Sequence, residues 1–155
     1  MAQALAFASA LEVSKTRSLA GTKLVAVPKH ADERGYLIAL DRDQSLPFEP
    51  RRVYCLYPGV VDAVRGEHAT SAHCALLALQ GSFEVDLDNG EEKQSVRLSR
   101  TDQALCIHAG VWLRLRNLAR DAIVLVAASR AFDESVYYDR PNRDLLRAMA
   151  NDRWR

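Results

Sequence analysis

Residues 74–98 have the sequence CALLALQGSFEVDLDNGEEKQSVRL, in which short apolar runs are separated by glycine-containing breaks. The central run, residues 83–87, alternates apolar and acidic side chains, which is the period of a strand with one buried face. Gly81 precedes this run, and the pair Asn89-Gly90 that follows it supplies the positive φ angles of a tight hairpin. The stretch therefore predicts consecutive antiparallel strands and argues against a parallel α/β fold.

Similar short runs occur on both sides of this stretch. Apolar segments typical of strands lie at residues 24–27, 36–40, 52–57, 104–107, 112–115 and 122–127. Turn-forming residues separate them. Many short strands at nearly regular spacing are typical of a closed barrel or a double-sheet roll. We therefore predict a mainly β protein, with one jelly-roll barrel of antiparallel strands over residues 21–140.

The two ends of the chain differ from the barrel pattern. Residues 1–20 show no strong strand period, and we expect an N-terminal arm or a short helix there. Pro141 is suited to the first turn of a helix, and Leu145, Leu146 and Met149 then recur at helical spacing. Residues 141–155 are therefore expected to contain a short helix that packs on the barrel.

Composition limits the kind of partner. The 155 residues are 48% hydrophobic, enough for one domain with its own core. With 21 Lys and Arg against 20 Asp and Glu, the formal net charge of +1 argues against nucleic acid or an anionic membrane and favours a small-molecule partner. The three cysteines form no CxxC pair, which fits free thiols. No apolar run approaches the roughly 18 residues of a membrane span, and we expect a cytoplasmic protein.

Residues that carry chemistry are concentrated at 65–81 and 108–117. Their spacing resembles the two motifs of the cupin superfamily, whose barrels place a His-x-His pair, a Glu and a later His around one metal. His68 occupies the first position, but the other three are held by Thr70, Cys74 and Leu113. A divalent metal site needs three or four converging N, O or S donors. The resemblance therefore implies a cupin barrel without a metal site.

A narrower resemblance covers most of residues 31–140. The motifs that carry it occur in a fixed order: Asp32-Glu-Arg34-Gly35, Pro47-Phe48, Arg51-Arg52-Val53-Tyr54-Cys55, Arg65-Gly66-Glu67-His68, Gly110-Val111-Trp112, Ala127-Ala128-Ser129 and Phe132-Asp133-Glu134. In this order they resemble the metal-free cupins that act as dTDP-4-keto-6-deoxyhexose 3,4-ketoisomerases. The implied reaction removes the C3 proton of the sugar, passes through an enediol and returns a proton at C4.

The resemblance also implies roles for individual residues. His68 matches the catalytic base, and a histidine with a pKa near 7 can carry a proton in both directions. Tyr54 matches a tyrosine that would donate to the developing oxyanion. Substrate contacts would come from Arg34, Arg51, Arg65, Thr70 and Trp112. The implied assembly is a homodimer with exchanged N-terminal strands, which would cover an exposed sheet edge, and no cofactor is implied.

Departures from the family motifs leave alternatives open. Thr70 stands at the second histidine, Cys55 at the second tyrosine and Leu113 where a histidine or arginine often follows the tryptophan. One alternative is an epimerase acting on the same class of substrate, and another is a barrel that binds a nucleotide sugar without chemistry. His73 and His108 are interpreted as structural or exposed, and Cys74 as a small buried hydrophobe.

Overall fold

The structure is a computed structural model that describes residues 17–149 and Trp154. This part of the chain contains the 3-10 helix Phe132–Glu134, the α-helix α1 (Arg143–Met149) and twelve strands: β1 (Thr22–Ala26), β2 (Lys29–Asp32), β3 (Gly35–Ile38), β4 (Arg52–Leu56), β5 (Arg65–Thr70), β6 (Cys74–Gln80), β7 (Phe83–Asp88), β8 (Lys93–Leu98), β9 (Gln103–Ile107), β10 (Trp112–Arg116), β11 (Ile123–Ala128) and β12 (Tyr137–Tyr138). The predicted N-terminal arm covers residues 1–20, and residues 1–16 of it lie outside the described part of the chain. Leu19, near the end of the arm, is buried in the core.

The strands form two five-stranded sheets and one separate hairpin. The first sheet has the order β1-β9-β6-β11-β4, and the second has the order β12-β5-β10-β7-β8. Neighbouring strands are antiparallel throughout both sheets and in the β2–β3 hairpin. The predicted mainly β fold of antiparallel strands is confirmed, with the connectivity of a double-sheet roll.

The core lies between the two sheets. Strand β7 alternates as predicted, since Phe83, Val85 and Leu87 are buried while the acidic residues between them are partly exposed. Leu76 from the first sheet and Leu113 from the second join the same apolar cluster. Burying each large aliphatic or aromatic side chain contributes about 1.5–3 kcal/mol, so the facing sides of the two sheets hold the barrel together.

The β7–β8 hairpin forms where it was predicted, but its loop differs from the expected two-residue turn. Asp88 pairs with Lys93, which leaves four residues, 89–92, in the loop. The Asn89 Oδ1 accepts from the backbone N–H of Glu91 at 2.9 Å and of Glu92 at 2.8 Å, and Gly90 alone in this loop has a positive φ, of 87°. The asparagine side chain thus organises a longer loop by hydrogen bonding to its backbone.

Three strands were not predicted, namely β2, β5 and β12. Every residue of β2 is exposed, and β12 has two residues, so neither carries the period-2 apolar pattern. Strand β5 has the sequence RGEHAT, with a single apolar side chain, Ala69, in its buried half. These strands are formed by backbone pairing with neighbours rather than by an apolar face of their own.

The C-terminal helix α1 begins two residues later than Pro141. The Asn142 Oδ1 accepts from the backbone N–H of Leu145 at 2.9 Å, which caps the helix at its first turn. The backbone N–H of Asn142 itself donates to Gly110 at 2.8 Å, and Leu146 packs on the core of the barrel. None of the described helices has the length and apolar character needed to cross a membrane.

An ion cluster covers the outer face of the second sheet. The Asp86 carboxylate accepts from Arg116 Nε at 2.7 Å, from Arg114 Nη2 at 2.8 Å and from Ser95 Oγ at 2.6 Å. These donors, Arg116 above all, hold the pKa of Asp86 well below its usual range. The cluster therefore connects β7, β8 and β10 across the sheet.

Asp86→Asn is expected to lower the free energy of unfolding at pH 7 by about 1.5–3 kcal/mol, the range for hydrogen bonds to charged groups. Because the folded pKa is depressed, the stability from Asp86 is present above the unfolded value of about 3.9 and is lost as the pH falls toward the folded value. The difference in melting temperature between wild type and variant should therefore shrink from pH 6 to pH 2.5. Asp139→Asn, at a 90% exposed side chain, is the control and should change little; a difference independent of pH would contradict the prediction.

Candidate active site

A β-bulge in strand β5 sets the direction of His68. Leu113 pairs with His68 but Arg114 pairs with Gly66, so Glu67 is the extra residue, with a φ of 61°. Gly66 has a φ of 84°, and a Cβ there would lie 3.1 Å from the carbonyl oxygen of Leu113. Bulges of this kind bend a strand and redirect the side chain that follows. The Arg-Gly-Glu-His sequence thus forms a bulge that turns the His68 side chain into the space between the two sheets.

His68 lies at a cavity of about 120 Å³ between the open edges of the two sheets. Its lining combines ionisable and hydroxyl groups near the entrance with aliphatic side chains deeper in: Arg52, Tyr54, Leu56, Arg65, Gly66, His68, Thr70, Ala72, Cys74, Leu76, Leu113, Leu115, Val126, Ala128, Ser135 and Tyr137. Four of the residues predicted from the sequence meet here: His68, Tyr54, Arg65 and Thr70. We refer to this space as the barrel cavity.

The other three predicted contacts lie elsewhere in the chain. Arg34 is on the exposed β2–β3 hairpin, where it forms an ion pair with Asp32. Trp112 adjoins Leu113 in β10, and because neighbouring strand residues face opposite ways it lies outside the cavity, with the Arg114 guanidinium 5.9 Å from its ring. Arg51 lines a second, larger cavity of about 860 Å³ on the other face of the first sheet.

His68 is half-buried, and burial lowers its pKa from the ordinary value of 6.5. Its Nδ1 is buried without a hydrogen-bond partner among the described residues. The imidazole packs edge-on against the ring of Tyr137, with 5.0 Å between ring centroids and 74° between planes. The ring is therefore neutral at pH 7 and has a nitrogen lone pair available to take a proton.

Tyr54 lies on β4 and presents a protonated hydroxyl to the barrel cavity. Burial raises its pKa to about 12, and the nearby Cys74 adds to the effect. Burial likewise raises the pKa of the Cys74 thiol to about 12, so it carries no charge and is a poor nucleophile at neutral pH. The Arg52 guanidinium lies 4.3 Å above the Tyr54 ring. Tyr54 is thus equipped to donate a hydrogen bond to a negative oxygen.

Two residues that contribute to the chemistry of the barrel cavity, Arg52 and Tyr137, were not predicted from the sequence. Arg52 is two positions before Tyr54 on the same strand, so period-2 alternation places both side chains on one face. The sequence therefore contains enough information to predict Arg52 beside Tyr54. Tyr137 belongs to β12, whose two residues pair with Ala69 and Thr70 of β5. No strand period identifies Tyr137, because β12 has two residues and its position depends on a pairing between distant parts of the chain.

His73 and His108 lie outside the barrel cavity and bind backbone groups, as a structural interpretation requires. The backbone N–H of Ala109 donates to His73 Nδ1 at 3.0 Å, and His108 Nδ1 lies 2.8 Å from the carbonyl oxygen of Ala109. The two rings are 4.4 Å apart, and burial lowers the pKa of His73 to about 4. Both rings therefore stabilise the end of the first sheet.

The positions that hold metal in other cupins supply few ligands here. Thr70 is buried, and its Oγ1 accepts from the backbone N–H of Ala72 at 3.2 Å. Cys74 is a neutral thiol and Leu113 is apolar. Within residues 17–149 and Trp154, no three His, Cys, Asp or Glu side chains are grouped as metal ligands. The cavity instead presents one imidazole, two phenols and two guanidinium groups, a set suited to proton transfer on an anionic, polar substrate.

Comparison with known proteins agrees with this chemistry. The chain is 31% identical over 116 residues to the TDP-4-oxo-6-deoxy-alpha-D-glucose-3,4-oxoisomerase of Aneurinibacillus thermoaerophilus, covering 74% of this chain and 84% of that protein. The TDP-quinovose 3,4-ketoisomerase WlaRB of Campylobacter jejuni superposes with a TM-score of 0.73 at 31% identity, over 83% of this chain and 99% of WlaRB.

A third relative, the 3,4-ketoisomerase QdtA of Thermoanaerobacterium thermosaccharolyticum, was solved as a histidine-to-asparagine mutant with TDP-4-keto-6-deoxyglucose. It superposes with a TM-score of 0.73 at 27% identity and covers 88% of this chain and 98% of QdtA. The family described as FdtA, WxcM-like, C-terminal matches residues 20–148. These agreements confirm the resemblance drawn from the motifs: the relatives named above are 3,4-ketoisomerases of TDP sugars, and the chain belongs to the FdtA, WxcM-like family.

Proposed function

We propose that His68 is the base with which this protein, a 3,4-ketoisomerase of TDP-linked 4-keto-6-deoxyhexoses, moves the keto group from C4 to C3. The observation that carries the proposal is the placement of His68. It is a neutral imidazole turned into the barrel cavity by a bulge, in a chain whose relatives are 3,4-ketoisomerases.

The first half of the reaction follows from the groups in the barrel cavity. The C3 proton is acidified by the adjacent ketone, and the His68 imidazole takes it. The electron pair of the C3–H bond forms the C3=C4 double bond, and the C4 carbonyl pair moves to O4. Tyr54, protonated at neutral pH, gives its proton to O4 and yields a neutral 3,4-enediol. Such a donor, held in place before the reaction, lowers the energy of the oxyanion as it forms.

The size of the barrel cavity determines which part of the substrate enters it. Its volume of about 120 Å³ is below the ~300–1,000 Å³ typical of pockets for drug-sized ligands. We therefore place the keto sugar inside and the nucleotide beyond the entrance. Arg65 lines the cavity and is exposed, which suits a charge-assisted hydrogen bond to the diphosphate. Thr70 contacts the sugar in this arrangement.

Proton NMR of TDP-4-keto-6-deoxyglucose in deuterated buffer tests the proposed function. Wild-type protein should remove the C3 proton signal and produce the 3-keto isomer. Exchange at C5 without a 3-keto product would indicate an epimerase instead. An unchanged spectrum, with TDP-sugar binding shown by a rise in melting temperature, would indicate a barrel that binds without chemistry.

The activity should depend on pH through His68. Because burial lowers the His68 pKa below 6.5, the base remains neutral from pH 7 upward and kcat/KM should be flat there. The rate should fall only at more acidic pH than the ordinary value of 6.5, as the imidazole takes a proton in the free enzyme. The Tyr54 pKa of about 12 predicts no loss from that residue up to about pH 10. A rate that falls with an apparent pKa above 7 would contradict this assignment.

We further propose a homodimer with exchange of the N-terminal hairpin. Strand β4 is an edge of the first sheet, and its exposed face includes Val53. The β2–β3 hairpin pairs with neither sheet and exposes Tyr36 and Leu37. Pairing of this hairpin with a second copy would cover both features. It would also carry Arg34 toward the neighbouring copy, where it would contact substrate.

Light scattering after gel filtration should give twice the mass of the chain, and Leu37→Asp should shift the population toward monomer. Arg140→Asp, which adds an acidic charge at an 83% exposed side chain outside the hairpin, is the matched control and should retain the dimer. A wild-type monomer at micromolar concentration would contradict the assembly.

We place the protein in the cytoplasm, because Cys55, Cys74 and Cys106 are all free thiols.

A further inference from the structure

We propose that Tyr137 is the second proton carrier of the reaction and delivers the proton that C4 receives. The inference rests on the proposed function, since it assigns the second half of the same isomerisation. His68 then acts on C3, Tyr54 on O4 and Tyr137 on C4.

Tyr137 is placed beside the base by backbone pairing. In strand β12 it pairs with Thr70, two residues after His68 in β5. Its ring meets His68 edge-on at 5.0 Å between centroids, and both residues line the barrel cavity. Because the two rings are in contact, a sugar whose C3 atom lies against His68 is also close to the Tyr137 hydroxyl.

Arg52 holds the aromatic side of the cavity together. Its Nη1 donates to the Tyr137 hydroxyl at 3.5 Å, and its guanidinium lies 4.3 Å over the Tyr54 ring and 4.9 Å over the Phe132 ring. One cation thus contacts both phenols. It is close enough to stabilise the negative oxygen left when Tyr137 gives up its proton. Arg52 acts here as a positioning residue.

Other proton carriers in the cavity are less suitable. Leu113 lies across from His68 and has no proton to transfer. The buried Thr70 hydroxyl is an aliphatic alcohol, a much weaker acid than a phenol, and its Oγ1 accepts from the backbone N–H of Ala72. The Cys74 thiol, with a pKa of about 12, is fully buried beneath them. Tyr137, partly exposed at the entrance, is the phenol nearest the base that the first half-reaction leaves unused.

The second half-reaction balances with these groups and solvent. The Tyr137 O–H bond breaks and its proton forms the new C4–H bond with the electron pair of C3=C4. The O3–H pair forms the C3 carbonyl, and the O3 proton returns to the Tyr54 phenolate. After the product leaves, the His68 imidazolium gives its proton to solvent and the Tyr137 phenolate, at an exposed side chain, takes one from solvent, so all three groups regain their starting state.

Tyr137→Phe separates the two half-reactions in the NMR experiment in deuterated buffer. We expect formation of the 3-keto product to fall by about 10²–10⁴-fold, the range for loss of one general acid, while exchange at C3 stays within a few-fold of wild type. Tyr138→Phe, on the adjacent residue, is the matched control and should leave both rates unchanged. A variant that makes product at the wild-type rate, or that loses exchange and product in parallel, would overturn the role of Tyr137.

A label experiment on wild-type protein gives a second test that needs no variant. Substrate deuterated at C3 should give product with solvent protium at C4, since the C4 proton comes from Tyr137. Deuterium carried from C3 to C4 would mean that His68 performs both transfers, and would overturn the inference while leaving the isomerase intact. Failure of wild type to exchange C3 or form product would instead remove the proposed function itself.

Discussion

His68→Asn is expected to reduce isomerisation of TDP-4-keto-6-deoxyglucose by about 10²–10⁴-fold, the contribution of one positioned acid or base. Asparagine preserves much of the size and polarity of the side chain but cannot take the C3 proton at neutral pH. C3 exchange and 3-keto formation should therefore be lost together, because both begin with removal of that proton. Binding of TDP, measured by calorimetry, should persist, since Arg65 and the cavity entrance are unchanged.

Asp139→Asn is the control, because Asp139 has a 90% exposed side chain that lies neither in the barrel cavity nor in the β2–β3 hairpin. Its variant should isomerise at the wild-type rate. If His68→Asn instead lost TDP binding and melted at a markedly lower temperature, His68 would be a structural residue. If the variant kept C3 exchange, another group would be the base.

The parts of the fold that bury one face of a strand were predictable from the sequence. Strand β7 is the clearest case, since burial of Phe83, Val85 and Leu87 against the other sheet imposes a period of two. Strand β5 was not predictable in this way. Its hydrogen bonds to β10 and its bulge at Glu67 fix it in place, and neither produces an apolar pattern.

The site was predictable to the extent that its residues follow a motif or a strand period. His68 and Tyr54 were identified by resemblance to known motifs, and both line the barrel cavity. Arg52 follows from Tyr54 by alternation. Tyr137 does not follow from a strand period, because β12 reaches the cavity only by pairing with a strand whose partner residues lie 67–69 positions earlier in the chain. In the proposed dimer, the contact of Arg34 with substrate depends in turn on a second copy of the chain, which a single chain does not contain.

Tyr54→Phe should lower both C3 exchange and product formation, each by about 10²–10³-fold, the range for loss of one oxyanion donor. The phenol acts while the C3–H bond breaks, when negative charge develops on O4. Its pKa of about 12 keeps it protonated and ready to donate over the whole working range. Phenylalanine retains the ring beneath the Arg52 guanidinium, 4.3 Å away in the wild type, so the cavity and TDP binding should be preserved.

Tyr57→Phe, at a 69% exposed tyrosine just beyond the same strand, should leave the rates unchanged. The comparison with Tyr137→Phe is the sharpest use of this variant. Both substitutions remove one phenolic hydroxyl that lines the same cavity, yet Tyr54→Phe should slow C3 exchange whereas Tyr137→Phe should spare it. Equal loss of exchange in the two variants would mean that both hydroxyls act on the first transition state. Normal exchange in Tyr54→Phe would mean that O4 receives its proton from another donor, and the order of proton transfers derived from the cavity would then be wrong.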